Sequence, residues 1–394
     1  IKNNSMKMKH NIVFGEPCID QSLYKHVASN LKSKWIGTGP ISKKFEENFS
    51  NYKKTIFSLS VNSCTAAIFL SLKSLKLKKN DEIITTPMTF CSTINCIIHA
   101  GAKPVLVDIK PNTLNIDEDK IEEKITKNTK ALLIVHFAGL PCNMKKIKKI
   151  VSKYKLKLIE DCAHAIESKY DGKEVGNFGY SGCYSFYVNK NITTCEGGMI
   201  TTKNKNLNDF VLNNRLHGMS KDAWKRFFPK KQKKNIYFYD VTSAGYKFNM
   251  PDLNASIGIS QLKSIQNFWI KRKKIYEKYK KKLSKLPIIL QQFDNKKVTH
   301  SYHLFLFHID RKKTHLRRDQ LINYLNKYKI GFGIHYRSIN SMTFYKKKFG
   351  WTKNDAPSSY TIGENTLSLP LYPHLSSKNV DYICEKIENF FKKK

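Results

Sequence analysis

The stretch from Leu158 to Met199 reads LIEDCAHAIESKYDGKEVGNFGYSGCYSFYVNKNITTCEGGM, and it decides both the fold class and the chemistry. An apolar run leads into Glu160 and Asp161, and Lys190 follows 29 residues later (190 − 161), ahead of a glycine pair at 197 and 198. A short apolar strand that ends in acidic side chains is typical of a parallel sheet, in which ligands bind at the carboxyl ends of the strands. The stretch therefore predicts an α/β fold with a binding site beside Asp161.

Short apolar runs alternate with helix-like stretches on the N-terminal side of this segment. The predicted strands are Glu82–Thr85, Lys103–Val107, Ala131–His136 and Lys155–Glu160. Strands separated by helical segments form βαβ units, and these units build a largely parallel sheet. We therefore expect a large α/β domain in the first two thirds of the chain.

The pattern changes near Pro287, where a lysine-rich amphipathic helix predicted over residues 263–286 ends. Beyond it we predict a strand at 303–309, a helix at 318–328 and a final helix at 379–394. Such a mixture predicts a smaller α+β domain. The predicted division is residues 1–265 for the large domain and 266–394 for the small C-terminal domain.

The chain is strongly basic. It has 394 residues with 70 Lys and Arg against 31 Asp and Glu, which gives a formal net charge of +39. Only seven of the 70 cations are Arg, the residue that makes most bidentate contacts to bases and phosphates. We therefore expect a solvated lysine surface without specific nucleic-acid binding. The cluster Lys221–Lys234 is predicted to be a mobile loop that helps to capture an anionic ligand.

The sequence also carries information on location. No run of about 18 apolar residues occurs, so we expect no membrane insertion, and residues 1–10 lack the apolar core of a secretion signal. The nine cysteines include no Cys-x-x-Cys pair. This predicts free thiols in a reducing cytoplasm, and neither a disulfide framework nor a metal site.

Asp161, Ser185 and Lys190 together fit one cofactor, pyridoxal 5'-phosphate (PLP). PLP needs a lysine that holds its aldehyde as a Schiff base, a carboxylate that keeps its ring nitrogen protonated, and donors for its phosphate. Asp161 could instead cap a helix, and Lys190 could be one of many surface lysines. The low charge around Lys190 favours the cofactor site.

Ten motifs in order make nearly the whole chain resemble the DegT/DnrJ/EryC1/StrS family of nucleotide-sugar aminotransferases. The resemblance implies the PLP-dependent transferase type I fold, which is that of aspartate aminotransferase. The motifs are WIGTGP (35–40), NSCTAA (62–67), TPMTFCST (86–93), AGAKPVLVDI (100–109), HFAGLPCNM (136–144), EDCAHA (160–165), SFYVNKNITTCEGGM (185–199), HGMSKDAW (217–224), GYKFNMPDLNASIGISQL (245–262) and YHLF (302–305).

The resemblance implies a role for each residue that matches a cofactor-binding position. Lys190 would carry the cofactor and then move a proton between substrate and cofactor. Asp161 would pair with the ring nitrogen, His164 would contact the phenolic oxygen, and Phe90 would stack on the ring. By default, His164 and Phe90 would be ordinary core residues.

The same resemblance implies a phosphate site and a substrate end. Thr65 and Ala66 would bind the phosphate through their amides at a helix N-terminus, although Cys64 stands where the family usually has Gly or Ala. Ser185 would add its hydroxyl, and Asn249 would reach the phosphate from a neighbouring subunit, which implies a homodimer. The substrate-end residues would be His335, Tyr336 and Arg337, which could otherwise be ordinary strand residues.

The implied reaction moves an amino group from glutamate, leaving 2-oxoglutarate, to the keto carbon of a nucleoside-diphosphate sugar. The segments STIN (92–95), HGMSKDA and GYKFN look closest to enzymes that act on UDP-linked 4-keto sugars for surface polysaccharides, including lipopolysaccharide. Two alternatives are a PLP dehydratase, in which His replaces the lysine, and a basic nucleic-acid-binding or regulatory protein that retains the fold. The presence of Lys190 together with Asp161 and Ser185 argues against both.

Overall fold

A seven-stranded sheet lies at the centre of the computed structural model, which describes residues 11–220 and 240–392. Its strands follow the spatial order β1-β9-β8-β5-β4-β2-β3, in which β9 is antiparallel to both neighbours and every other pair is parallel. The first nine strands are β1 (Phe57–Val61), β2 (Glu82–Thr85), β3 (Lys103–Leu106), β4 (Thr129–Val135), β5 (Lys157–Asp161), β6 (Lys169–Tyr170), β7 (Lys173–Glu174), β8 (Ser181–Ser185) and β9 (Gly198–Thr202). The predicted α/β class with a mostly parallel sheet is confirmed.

Helices cover both faces of this sheet. On α5, for example, Met144, Ile147 and Ile150 are buried at a spacing of three residues, while lysines occupy the opposite side of the helix. The α-helices of the described residues are α1 (Gln21–Lys32), α2 (Pro40–Lys53), α3 (Cys64–Lys73), α4 (Cys91–His99), α5 (Met144–Lys153), α6 (Lys205–Asn214), α7 (Asp252–Leu283), α8 (Arg318–Lys327), α9 (Thr343–Phe349), α10 (Pro357–Gly363) and α11 (Ser377–Lys392).

A second, antiparallel sheet forms the C-terminal part of the chain. It consists of β10 (Ile288–Leu290), β12 (Phe305–Ile309) and β13 (Thr366–Leu369), packed against α8 and α11, while β11 (Val298–Thr299) pairs with β6. The smaller α+β part is therefore present as predicted.

Helix α7 connects the two parts. Its 32 residues span about 48 Å at 1.5 Å per residue, and they contact α1 and α2 at one end and α11 at the other. The predicted domain boundary after residue 265 lies inside this helix and stays a prediction.

Several predicted boundaries were wrong by a few residues. Strand β5 begins two residues later than predicted and includes Asp161, and β12 begins at Phe305 where 303 was expected. Helix α7 starts at Asp252, well before the predicted 263, because its first turns pack against α2 and carry few lysines. The final helix starts at Ser377, two residues before the predicted position. The predicted Lys221–Lys234 loop lies outside the described residues.

The N-terminal segment is attached to α7 by one buried carboxylate. Asp252 is fully buried, and its oxygens accept hydrogen bonds from the amides of Gly39 (2.8 Å), Ile41 (3.0 Å) and Ser42 (2.8 Å). Amides at a helix start need acceptors, and a carboxylate also matches the positive end of the α2 dipole. This contact fixes the WIGTGP segment beside residues 249–252.

The direction of the strands brings the motifs to one edge. Because β9 is antiparallel to both β1 and β8, the carboxyl ends of β1, β2, β5 and β8 lie at the same edge of the sheet.

Among the described residues, no helix combines the length and the apolar character that crossing a bilayer requires.

Candidate active site

Asp161 is the last residue of β5, and its carboxylate is buried. It accepts hydrogen bonds from the Thr93 hydroxyl and from the Ala163 amide, both at 3.1 Å. Burial raises the pKa of this carboxyl above its ordinary value, while the two donors and the nearby charge of Lys190 lower it. Asp161 accepts both from the start of the following turn and from α4, so two separate segments fix the orientation of its carboxylate.

Lys190 lies in the turn after β8, and it is half-buried. Its amide donates to the Tyr187 carbonyl at 2.9 Å, and the turn closes where the Thr194 amide donates to the Phe186 carbonyl at 2.9 Å. Burial lowers the pKa of the Lys190 ammonium to about 8, although the neighbouring Cys64 and Asp161 act in the opposite direction. Near neutral pH the fraction of neutral amine is therefore much larger for Lys190 than for an ordinary lysine.

Cys64 has little effect on the pKa of Lys190. Burial raises the pKa of its thiol well above the ordinary value, so the thiol stays neutral at the pH where Lys190 titrates. The charge that opposes burial of the Lys190 ammonium is therefore that of Asp161.

The turn between β1 and α3 supplies free amides at a helix start, but the amide of Ala66, which was predicted to bind the phosphate, is not one of them, because it already donates a hydrogen bond within the turn. Ser63 caps the helix, because its hydroxyl accepts from the Ala66 amide at 3.1 Å. The amides of Cys64 and Thr65, at the exposed end of the first helical turn, have no acceptor among the described residues. Free amides and the positive end of a helix dipole form an anion site that suits a phosphate.

Gly198 allows this phosphate turn to lie against the sheet. A Cβ atom added there would lie 2.5 Å from the carbonyl carbon and oxygen of Ser63 and 2.7 Å from the Cys64 nitrogen. Gly198 also pairs in register with Ser185 at the end of β8. Ser185, the predicted phosphate ligand, therefore lies directly across the sheet from Gly198, and Gly198 is the residue that contacts the turn.

His164, which is buried, and Tyr336, which is half-buried, form a hydrogen-bonded pair between the two parts of the chain. The Ala138 amide donates to His164 Nδ1 at 3.3 Å, so Nε2 carries the ring proton and donates to the Tyr336 hydroxyl oxygen at 3.1 Å. Burial lowers the pKa of His164 well below its usual range. The imidazole is therefore neutral, and the hydroxyl proton of Tyr336 is free to donate elsewhere.

The other predicted residues differ in their surroundings. Phe90 immediately precedes α4 and is 57% exposed, with its ring 6.0 Å from that of Tyr336. His335 stacks on Phe14 and contacts the Ser368 hydroxyl at 3.0 Å. Arg337 is exposed and lies 3.8 Å from Glu364. The Lys190 charge acts on both His164 and His335, whereas the described contacts of Arg337 do not connect it to Lys190.

Asn249 lies on the outer side of β1. It bridges to Val61, next to the phosphate turn, and its side-chain amide donates to the Thr38 hydroxyl and accepts from Lys247 Nζ at 2.6 Å. With Trp35 it borders an open cleft of about 470 Å³. Its predicted contact with a neighbouring subunit stays a prediction.

A second group of buried titratable side chains stabilises the loop behind the site. His136 Nδ1 accepts from the Cys142 amide at 3.1 Å, so its Nε2 donates to Glu160 at 3.2 Å. Glu160 also accepts from the amides of residues 176, 178 and 179. Cys162 is close by, but the nitrogen that would face a metal is already protonated. These groups hold one another in place.

Sequence reasoning missed some contacts of the site. Thr93 lies within the quoted TPMTFCST motif, but nothing in the sequence indicated that its hydroxyl reaches Asp161, 68 residues away. The ring of His303 lies 4.5 Å from that of His164, and His303 belongs to the YHLF motif, whose function was not identified.

The arrangement fits PLP. A buried carboxylate, a desolvated amine and a free helix N-terminus occur together at the carboxyl edge of the sheet, and the phosphate turn can approach β9 only because Gly198 has no side chain. The residues that would hold the cofactor are Lys190, Asp161, Thr65, Ser185, His164 and Phe90, with Cys64 in place of the predicted Ala66 as the second amide donor to the phosphate.

Comparisons with known proteins indicate one family of aminotransferases. The family model described as the DegT/DnrJ/EryC1/StrS aminotransferase family matches residues 17–388. The spore coat polysaccharide biosynthesis protein SpsC of Bacillus subtilis is 38% identical over 387 residues, with 98% of each chain covered.

Solved structures give the same result. The putative sugar aminotransferase Spr1654 of Streptococcus pneumoniae, in its PMP form, matches with a TM-score of 0.90 and 31% identity, over 97% of this chain and all of that one. Helicobacter pylori PseC, an aminotransferase involved in pseudoaminic acid biosynthesis, has a TM-score of 0.87 and 29% identity, over 98% of this chain and all of that one. The chain therefore belongs to the DegT/DnrJ/EryC1/StrS family of PLP-dependent aminotransferases.

Proposed function

We propose that the protein transfers an amino group from glutamate to the keto carbon of a nucleoside-diphosphate sugar. Within this class we propose a UDP-linked 4-keto sugar as the substrate. The observation that carries the proposal is the geometry at the carboxyl edge of the sheet, where two hydrogen bonds hold the buried Asp161 carboxylate and its charge acts on the nearby Lys190 amine. The product would serve the synthesis of surface polysaccharides, including lipopolysaccharide.

The bound cofactor would supply an electron sink for the bond changes at the substrate carbon. Asp161 would hold the ring nitrogen in its protonated form, because a fixed anion in a buried site favours a cation beside it. Two hydrogen bonds orient the carboxylate for this contact.

Lys190 would move the proton. A general base works best when its pKa lies near the working pH, and burial brings the pKa of Lys190 to about 8. The neutral amine would take a proton from the substrate carbon of the amino donor and return one to the carbon of the keto sugar.

His164 and Tyr336 would provide a neutral hydrogen-bond donor to the same space. Burial raises the pKa of Tyr336 far above neutrality, so the hydroxyl keeps its proton. Because His164 Nε2 already donates to the hydroxyl oxygen, the tyrosine proton can point to a cofactor or substrate oxygen.

The active unit would be a cytoplasmic homodimer. The site is bordered by the exposed apolar side chains of Phe90 (57%), Tyr187 (45%) and Val188 (39%), and a patch of this kind suits a protein interface. A partner subunit that covered these residues would exclude water from Lys190, and its Asn249 would reach the phosphate.

Mixing inactive Lys190→Ala protein with inactive Asn249→Glu protein should then restore activity, because one site of each hybrid dimer has both native residues. If subunits exchange and no activity returns, Asn249 does not act in trans.

The substrate is tested by incubating the enzyme and PLP with glutamate and a panel of keto-sugar nucleotides that differ in base and in keto position. Mass spectrometry distinguishes amination from the loss of water that a dehydratase would cause. We expect amination of a UDP-linked 4-keto sugar with matching formation of 2-oxoglutarate, and none with Lys190→Ala. Loss of water, or the absence of amination with every keto-sugar nucleotide of the panel, would contradict the proposal.

A further inference from the structure

A buried polar cluster lies directly beside the Lys190 turn, and the proposed reaction does not use it. Its four side chains are almost completely buried, with exposed fractions of 2% to 8%. They are Asn191, Glu167, Arg272 and His303. They come from the Lys190 turn, the loop after β5, helix α7 and the segment before β12.

Asn191 is the centre of the cluster. Its Nδ2 donates to Glu167 Oε2 at 2.6 Å and to the Ser301 carbonyl at 3.0 Å. Its Oδ1 lies 2.9 Å from His303 Nδ1. Because Oδ1 can only accept, His303 carries its proton on Nδ1, so Asn191 determines which tautomer is present. Every hydrogen-bonding group of this amide is used.

Arg272 holds the same residue through its backbone. The guanidinium donates to the Asn191 carbonyl at 3.2 Å, and its other terminal nitrogen forms an ion pair with Glu167. The residue that follows Lys190 is therefore fixed at both its main chain and its side chain. In the other direction, the His303 ring lies 4.5 Å from the His164 ring.

The cluster is not arranged for stability alone. A buried ion pair contributes little net stability compared with well-packed apolar residues. Arg272 Nε has no hydrogen-bond partner among the residues that the structure describes, which costs further free energy. A costly arrangement of this kind next to the reacting lysine is better explained by the position it imposes.

We propose that Asn191, held by the buried Glu167–Arg272 ion pair, is a positioning residue that places the Lys190 amine for reaction with the cofactor aldehyde. The proposal goes beyond the transfer reaction and rests on the role proposed for Lys190. It concerns covalent capture of the cofactor, so the sugar substrate does not enter the test.

The experiment compares cofactor-free wild-type enzyme with Asn191→Ala. PLP is added, the mixture is quenched with borohydride at timed intervals, and mass spectrometry locates the reduced cofactor on its lysine. Non-covalent PLP affinity is measured separately on Lys190→Ala protein with and without Asn191→Ala. The matched control is Glu46→Gln, which breaks another partly buried pair with an arginine, Arg215, next to Ser60 of β1.

We expect covalent capture at Lys190 to be slower by about 10- to 100-fold in Asn191→Ala, because small misplacements of a reacting group have effects of this size. Non-covalent affinity should change by less than about twofold, since the phosphate and ring contacts do not involve Asn191. Glu46→Gln should leave both quantities unchanged even if it lowers the melting temperature.

Unchanged capture would overturn the proposal, and so would a parallel loss of capture and affinity, which indicates a structural role. If circular dichroism shows that Asn191→Ala does not fold, Glu167→Gln decides by the same two measurements, because it removes the charge that holds Asn191. If the wild-type enzyme captures the cofactor on another lysine, the assigned role of Lys190 fails, and that result is distinguishable from the others.

Discussion

The state of the Lys190 amine is the property of the site that can be tested most directly. An ordinary lysine with a pKa of 10.5 is about 0.03% neutral at pH 7. With the pKa at about 8, the neutral fraction is about 9%, which is roughly 300 times larger. In cofactor-free enzyme, Lys190 should therefore react far faster than a simple alkylamine of normal pKa would at the same pH.

The assay is competitive acylation with a trace of acetic anhydride, which attacks only neutral amines. The enzyme and a reference alkylamine are labelled together between about pH 6 and about pH 10, and the Lys190 peptide is quantified by mass spectrometry. Because burial disfavours the ammonium form, reactivity should rise about tenfold per pH unit at low pH and level off above about pH 8.

The substitution Asp161→Asn tests in which direction the Asp161 charge shifts the pKa of Lys190. The Asp161 charge favours the ammonium form of Lys190, so removing it should move the inflection to lower pH. Asp381→Asn removes a carboxylate on the surface of α11 and should leave the inflection unchanged. An inflection of Lys190 near that of the reference amine, or an upward shift in Asp161→Asn, would refute the reasoning.

Three further outcomes are expected. Asp161→Asn should keep the fold, checked by circular dichroism, yet lower turnover by orders of magnitude and weaken PLP binding, because a neutral amide cannot stabilise a protonated ring nitrogen; wild-type turnover would mean that Asp161 is structural. Gly198→Ala should weaken PLP binding in a fluorescence titration, because its Cβ would collide with the Ser63 backbone, whereas Gly15→Ala, whose Cβ meets only Asn189 at 3.4 Å, should bind normally. Nucleic-acid binding in a filter assay should be weak, indifferent to sequence and abolished by salt; tight sequence-dependent binding at physiological salt would contradict the lysine-surface interpretation.

The parts of the site that could be predicted are local in sequence. Asp161 and Lys190 belong to one continuous stretch, and Thr65 and Ala66 follow a recognisable turn at a helix start. Strand β2 was placed correctly because its apolar run is bounded by charged and turn-forming residues. Short-range pattern and the resemblance were sufficient for these elements.

The remaining features depend on contacts between distant segments. Strands β8 and β9 contain Gly, Ser and Thr and are almost completely buried, so they have no alternation of apolar and polar residues to reveal them. The Arg272 ion pair joins residues 105 positions apart, and a single Arg in a lysine-rich helix gives no indication of its partner. Only the packing of α7 beside the loop after β5 brings them together.

The position of β1 in the sheet constrains the order in which the protein can assemble. Within the sheet, β1 pairs only with β9, and its residue Val61 faces Gly198, 137 positions later in the chain (198 − 61). During synthesis, the phosphate turn therefore has no sheet to rest on until residue 202 has left the ribosome. Pairing over such a separation is slow, so a nascent chain should acquire the ability to bind PLP late and in a single step, after β9 has inserted between β1 and β8.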